Sequence, residues 1–216
     1  MYSREEIVSR INGLYVIIDS NLAAGKDEIE LSRQVLEGGT SVIQLRDKSQ
    51  DMNKLLEKAI RIRDLCEKYG AIFIVNDYPD IALGSEAHGV HVGQQDMPVE
   101  AVRRIIKPDQ MIGKSNALVK EAIDSEQNGV DYLAVGAIFP TNTKQNTRPA
   151  GLETLKEVRT ISTLPLVAIG GINIGNIKSV IEAGADAVCV ASAVIGQNNP
   201  EAAARRLVEE FSFKRY

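Results

Sequence analysis

The segment Gln44–Lys48, QLRDK, sets Gln44, Arg46 and Lys48 at alternate positions. Side chains alternate along an extended chain, so these three share one side. Two cations one step apart at the end of an apolar run suit a diphosphate, arginine through its planar fork and lysine as a compact charge. The same pair can also be read as solvated surface charge. Asn76-Asp77 closes the apolar run IFIV, and Asp96 follows GVHVGQQ. Such an oxygen-rich pair suits Mg²⁺, which takes one or two carboxylates and completes its octahedron with water and phosphate oxygens. Two carboxylates beside an anionic ligand repel it unless a divalent ion bridges them. Taken singly, Asp96 just before Pro98 reads better as a helix cap; taken with the other strand ends, it reads as a ligand.

Further along, PTNTK offers the Thr141 and Thr143 hydroxyls and the Lys144 charge in a segment too long for a simple connection. Gly136 and the prolines can instead mark a structural turn. Gly170-Gly171 and Ala191-Ser192 each follow an apolar run. Backbone N–H groups approach a phosphate closely at glycine, and a helix start adds a favourable dipole. His91 alternates with Val90 and Val92, and His88 lies in the turn before them, so both read as packed or solvated rather than catalytic. There is no Ser/His/Asp constellation and no CxxC. Cys66 and Cys189 read as two separate buried thiols.

These residues need an architecture that gathers strand ends. Eight short apolar runs recur, ending at Asp19, Arg46, Asp77, Asp96, Ser115, Lys144, Gly171 and Ser192. Helical stretches separate most of them, and glycines stop several. Asp27–Glu37 stops at Gly38-Gly39, Asp51–Tyr69 at Gly70 and Val119–Asn128 at Gly129. A short helix at 3–11 precedes the first strand. Further helices are expected from Pro98 in the first turn to Ile106, over Leu152–Ile161, over Ile174–Ala183 and from Pro200 to Phe211. The fifth strand is expected over MIG. The strands are β-branched apolar runs, as when both faces are buried. This predicts an α/β fold, a (β/α)8 TIM barrel forming a single domain over 1–216, with its site at the carboxyl ends of the strands. An open doubly wound sheet does not need eight such units.

Composition sets the class of ligand. With 44% hydrophobic and 25% charged residues over 216 positions, the chain can bury one sizeable core. A net charge of −4 and the lack of a long basic stretch argue against nucleic acid. Anionic ligands must then be held by local cations. The charged N-terminal segment is no signal peptide, and no apolar segment is long enough to span a bilayer, so a cytoplasmic protein without membrane partners is expected. The sequence does not set the oligomeric state; a homo-oligomer is compatible with it.

The combination of QLRDK, IVND, GVHVGQQD, GKS at Gly113–Ser115, PTNTK with GLE at Gly151–Glu153, VAIGGI and AVCVASAVIG resembles the thiamine phosphate synthases, from about Leu14 to the last helix. VAIGGI and AGADAV are common to many phosphate-binding barrels; the QLRxK, ND, HVGQxD and PTxTK set is specific. The resemblance implies a Mg²⁺-dependent transfer joining 4-amino-2-methyl-5-hydroxymethylpyrimidine diphosphate to a thiazole phosphate, with release of pyrophosphate. It implies Asp77 and Asp96 as metal ligands. It places Gln44, Arg46, Lys48, Asn76, Ser115 and Lys144 at the pyrimidine diphosphate, with Lys144, Arg46 and Ser115 the catalytic groups. Thr141, Thr143, Gly171, Ala191 and Ser192 fall at the thiazole phosphate. The implied mechanism is dissociative, with a carbocation-like pyrimidine captured by the thiazole nitrogen. Two departures stand out: Lys114, where the family is commonly apolar or small, and Asn116-Ala117. Lys114 can add charge to the site or point outward. A sister family, the thiazole tautomerases, has a His near position 117. An isomerase of that kind, or a silent thiamine-phosphate-binding paralogue, is the alternative.

Overall fold

The computed structural model describes residues 3–48, 51–141 and 147–211. Helix α1 (Arg4–Ser9) precedes β1 (Gly13–Asp19), and α2 (Glu28–Glu37), β2 (Val42–Arg46), α3 (Met52–Tyr69) and β3 (Ile72–Asn76) follow. Then come α4 (Pro79–Gly84), β4 (Gly89–Val92), α5 (Val99–Ile105), β5 (Met111–Asn116), α6 (Val119–Gln127) and β6 (Tyr132–Val135). The chain finishes with α7 (Gly151–Ile161), β7 (Leu166–Ile169), α8 (Ile177–Glu182), β8 (Ala187–Val190), α9 (Ser192–Ile195) and α10 (Pro200–Glu209). The strands pair in parallel in chain order and β8 closes on β1, giving the expected (β/α)8 barrel.

Closure explains the burial pattern. The core splits into two layers. The larger lies between strands and helices and includes Leu14, Val16, Ile18, Phe73, Val90 and Leu133. The smaller fills the barrel with Tyr15, Ile17, Val42, Ile72, Ile74, Met111 and Tyr132. Period-two alternation sends neighbouring strand residues to opposite layers, so both faces are apolar and the strands read as continuous runs. Ile7 and Ile11 join the inner layer, so α1 stoppers the amino-terminal end of the barrel. Removing a large side chain of this kind from water contributes about 1.5–3 kcal/mol. Cys66 and Cys189 are both free and buried, as expected.

Local signals account for most helix ends. Asp27 caps α2 by accepting from the Ile29 and Glu30 amides, and Asp51 caps α3 through Lys54. Gly70 ends α3 with a φ of 66°, a left-handed value that suits glycine. Three expectations need correction, and one helix is new. Pro98 is the residue before α5 rather than part of its first turn, with an extended ψ of 142°. β5 runs on past Gly113 to Asn116, because Lys114, Ser115 and Asn116 pair with Leu133, Ala134 and Val135. α8 starts at Ile177, not Ile174, because Asn173 and Asn176 close a turn on each other's backbone and side chain. The short helix α9 was not expected; four residues carry too little periodicity to show.

Candidate active site

The barrel register gathers the strand ends on one rim. Asp19 lies beside Arg46, Asn76 beside His91, and Ser115 beside Ala134. Arg46 pairs with the carboxylate of Asp19, whose other oxygen accepts from the Asn21 and Leu22 amides. Asp19 is almost wholly buried, so one edge of the guanidinium is held fixed. Lys58 reaches from α3 to Asp47 and Glu28 at 2.7 Å each, and to Ser20 at 3.5 Å. This ties together the loops after β1 and β2, and Asp47 sits between Arg46 and Lys48. Asp19 stood out in the sequence as the end of the first apolar run, but its pairing with Arg46 and the reach of Lys58 did not, since partners 27 and 30 residues apart meet only after closure.

Lys48 pairs with Asp77. Asp77 has a left-handed backbone, φ 65°, and its amide donates to the His91 carbonyl at 2.8 Å. Burial pushes its carboxyl up; Asp96, hydrogen-bonded to it, pushes the same way, and the Lys48 ammonium opposes them. The two expected metal ligands are therefore neighbours. Asp96 does not cap α5, which has no side-chain cap; instead its Oδ2 accepts from the Gly93 amide at 2.7 Å. Two adjacent carboxylates, one of them paired with the Lys48 ammonium, form a donor set that fits Mg²⁺. Among the described residues no group of three or more His, Cys, Asp or Glu side chains is placed to hold a metal ion.

Beneath the rim, Gln44 Nε2 donates to Tyr15 OH at 2.6 Å, and the Tyr15 and Tyr132 hydroxyls are 3.2 Å apart. Tyr132 OH lies 2.9 Å from His91 Nδ1, and His91 Nε2 lies 2.8 Å from Ser115 Oγ. His91 is packed, as the strand pattern implied, but it also joins a candidate site residue, and a serine–histidine pair exists that the sequence did not reveal. His88 is structural: its Nδ1 accepts from the Phe73 amide at 3.0 Å, and burial lowers its pKa. Gln94 Nε2 donates to the Ser115 carbonyl at 2.7 Å and to Asn116 Oδ1 at 3.1 Å, fastening the loop that carries Asp96 to the end of β5. Ser115 points inward to His91, so Lys114, its neighbour on the strand, is directed to the helix side.

The opposite arc of the rim carries Gly171, Ala191 and Ser192. Gly170 and Gly171 have φ of 102° and 67°. A Cβ on Gly171 would fall 2.6 Å from the Pro140 carbonyl oxygen, so glycine lets the stretch before Thr141 lie against the end of β7. Ala191 and Ser192 stand where β8 passes into α9. Ala137 donates to the Arg148 carbonyl, and Arg148 pairs with Glu121 at 2.6 Å, which pins the base of the long loop. Thr141 is described; Thr143 and Lys144 lie outside the described residues. Two clefts of about 330 and 730 Å³ open at the amino-terminal end, lined by residues such as Arg10, Thr40, His88 and Gln110, away from this rim.

Known proteins of one family are similar to this chain along nearly its whole length. The family model for thiamine monophosphate synthase matches residues 14–194. The thiamine-phosphate synthase of Moorella thermoacetica is 47% identical, over 91% of this chain and 94% of its own. That of Shouchella clausii is 43% identical, over 90% and 94%. The solved thiamine phosphate pyrophosphorylase from Pyrococcus furiosus superposes with a TM-score of 0.89 at 37% identity, covering 96% of this chain and 98% of that one. Orotidine 5′-phosphate decarboxylase from Pyrococcus horikoshii, at 20% identity and a TM-score of 0.66, shares the fold alone. The chain belongs to the thiamine monophosphate synthase family.

Proposed function

We propose that this transferase joins 4-amino-2-methyl-5-hydroxymethylpyrimidine diphosphate to a thiazole phosphate at the carboxyl rim of the barrel, giving thiamine phosphate and pyrophosphate. The observation that carries the assignment of the rim is the Asp77–Asp96 pair with Lys48 beside it. Asp77 and Asp96 would hold Mg²⁺, which when bound neutralises charge on the diphosphate. Arg46, Lys48 and Lys144 bind the diphosphate oxygens, with Arg46 oriented by Asp19. Gln44, Asn76 and Ser115 face the pyrimidine. Thr141, Thr143, Gly171, Ala191 and Ser192 receive the thiazole phosphate, where loops after the seventh and eighth strands and a short extra helix commonly bind phosphate in such barrels.

The reaction is dissociative. The bond from the pyrimidine methylene to the diphosphate oxygen breaks first, and its electrons leave with pyrophosphate. The thiazole nitrogen then supplies a pair to the methylene cation. Cations at the leaving group stabilise the charge that develops there, and the barrel rim holds the two substrates in reacting order. The reading places the reaction in the cytoplasm, between two phosphorylated small molecules.

Pyrophosphate release tests it. Full-length protein mixed with both substrates should release pyrophosphate in step with thiamine phosphate, and release should stop with chelator or when the thiazole phosphate is left out. Binding of a thiazole phosphate without any pyrophosphate release would instead favour an isomerase or a silent paralogue.

A further inference from the structure

A serine and a histidine 2.8 Å apart ordinarily read as nucleophile and base. The hydrogen bonds beneath His91 and Ser115 decide otherwise. Tyr15 and Tyr132 are 1% and 0% exposed, so water does not compete for their hydroxyls. Burial pushes both phenol pKa values up, which keeps both protonated. An amide NH₂ can only donate, and a neutral hydroxyl has one proton. Tyr15 accepts from Gln44 Nε2, so its own proton goes to Tyr132. Tyr132 in turn gives its proton to His91 Nδ1. A neutral imidazole that accepts at Nδ1 carries its proton on Nε2. His91 therefore donates to Ser115 Oγ and has no lone pair left there to remove the serine proton.

We infer that Tyr132 is a positioning residue: through it the chain runs one way from Gln44 to Ser115, holds His91 as the Nε2–H tautomer, and keeps the Ser115 hydroxyl as a hydrogen-bond donor towards the pyrimidine diphosphate. Only the last step rests on the substrate placement proposed above. The packing seats Tyr132 on the backbone of β5 and against the His91 ring. Its ring crosses directly over Gly113, where an added Cβ would lie 1.9 Å from the ring carbon bearing the hydroxyl. Gly113 pairs with His91, and the His91 and Tyr132 rings stack at 5.6 Å between centroids. A flipped Gln44 amide would reverse the whole chain, putting the proton on His91 Nδ1 and turning the serine proton to the ring.

The chain has two histidines, which makes the test direct. Nitrogen-15 NMR of the full-length protein labelled at histidine reports which ring nitrogen carries the proton, and a His88→Gln variant assigns the two rings. His91 is expected to show a pyridine-like Nδ1 and a pyrrole-like Nε2. A pyrrole-like Nδ1, or a doubly protonated ring, overturns the inference. Tyr132→Phe keeps the ring and removes the hydroxyl. It should shift His91 to a mixture of tautomers and lower kcat about tenfold, the weight of one buried hydrogen bond, with KM for the thiazole phosphate within about twofold. Tyr15→Phe cuts the chain one link earlier, should do the same, and serves if Tyr132→Phe does not fold. A folded variant with unchanged tautomer and unchanged kcat overturns the role. The expected tautomer in a protein that releases no pyrophosphate would support the chain while removing the substrate reading.

Discussion

Asp77 holds a left-handed backbone, a conformation that Asp and Asn adopt more readily than most residues. It aims a largely buried carboxylate at a second carboxylate, with Lys48 as its counter-charge. Such crowding disfavours the ionised pair until a divalent ion arrives. Asp77→Asn keeps the backbone preference and the shape while removing one charge. The metal-free variant should melt no lower than the metal-free parent, yet show no heat of Mg²⁺ binding by calorimetry and no Mg²⁺-dependent turnover. Wild-type turnover in that variant would remove Asp77 from the metal site. At this scale Asn76, Asp77 and Asp96 could be picked out in the sequence because each ends an apolar run. Tyr15 and Tyr132 could not. Their polar ends meet across 117 residues of chain, and in the sequence each is one more apolar strand residue.

At the scale of elements, α3 positions the site through one side chain. Lys58 is buried to a degree unusual for lysine, and it balances Asp47 and Glu28 together. Removing it takes the shared ammonium away from two carboxylates, one of them almost wholly buried. Breaking a buried pair from one side costs about 3–5 kcal/mol, and partial exposure of Lys58 and Glu28 brings the expectation for Lys58→Met down to about 2–3 kcal/mol. Urea unfolding measures that loss. Because Asp47 lies between Arg46 and Lys48, KM for the pyrimidine diphosphate should rise more than KM for the thiazole phosphate. Equal changes would mean that Lys58 supports the fold without orienting the diphosphate cations. The strands and most helices were readable because full burial and glycine stops leave local marks. The reach of β5 to Asn116 was not, since Lys114-Ser115-Asn116 is polar and its pairing with β6 is set by the partner strand. α9 left no mark either, and the start of α8 was displaced by an Asn-Asn turn that propensity does not show.

The molecule as a whole carries a net charge of −4 and is proposed to bind two anions. The rim solves this locally: Arg46 and Lys48 stand at one strand end, and the carboxylates that would repel a diphosphate are those proposed to take the metal. Pyrophosphate and Mg²⁺ should therefore bind together far better than either alone. A ligand that binds only the folded state stabilises it by about 2.7 kcal/mol at a hundred times its Kd. For a chain of this length each kcal/mol moves Tm by about 2–4 °C, so saturating Mg²⁺ with pyrophosphate should raise Tm by about 5–10 °C. Mg²⁺ alone and pyrophosphate with chelator should each give a small part of that rise. Asp77→Asn should lose the joint effect, while the response to the thiazole phosphate, proposed to bind on the opposite arc at Gly171 and Ser192, should stay. A full rise with pyrophosphate and chelator would mean that the cations alone hold the diphosphate, and the carboxylate pair would then need another role.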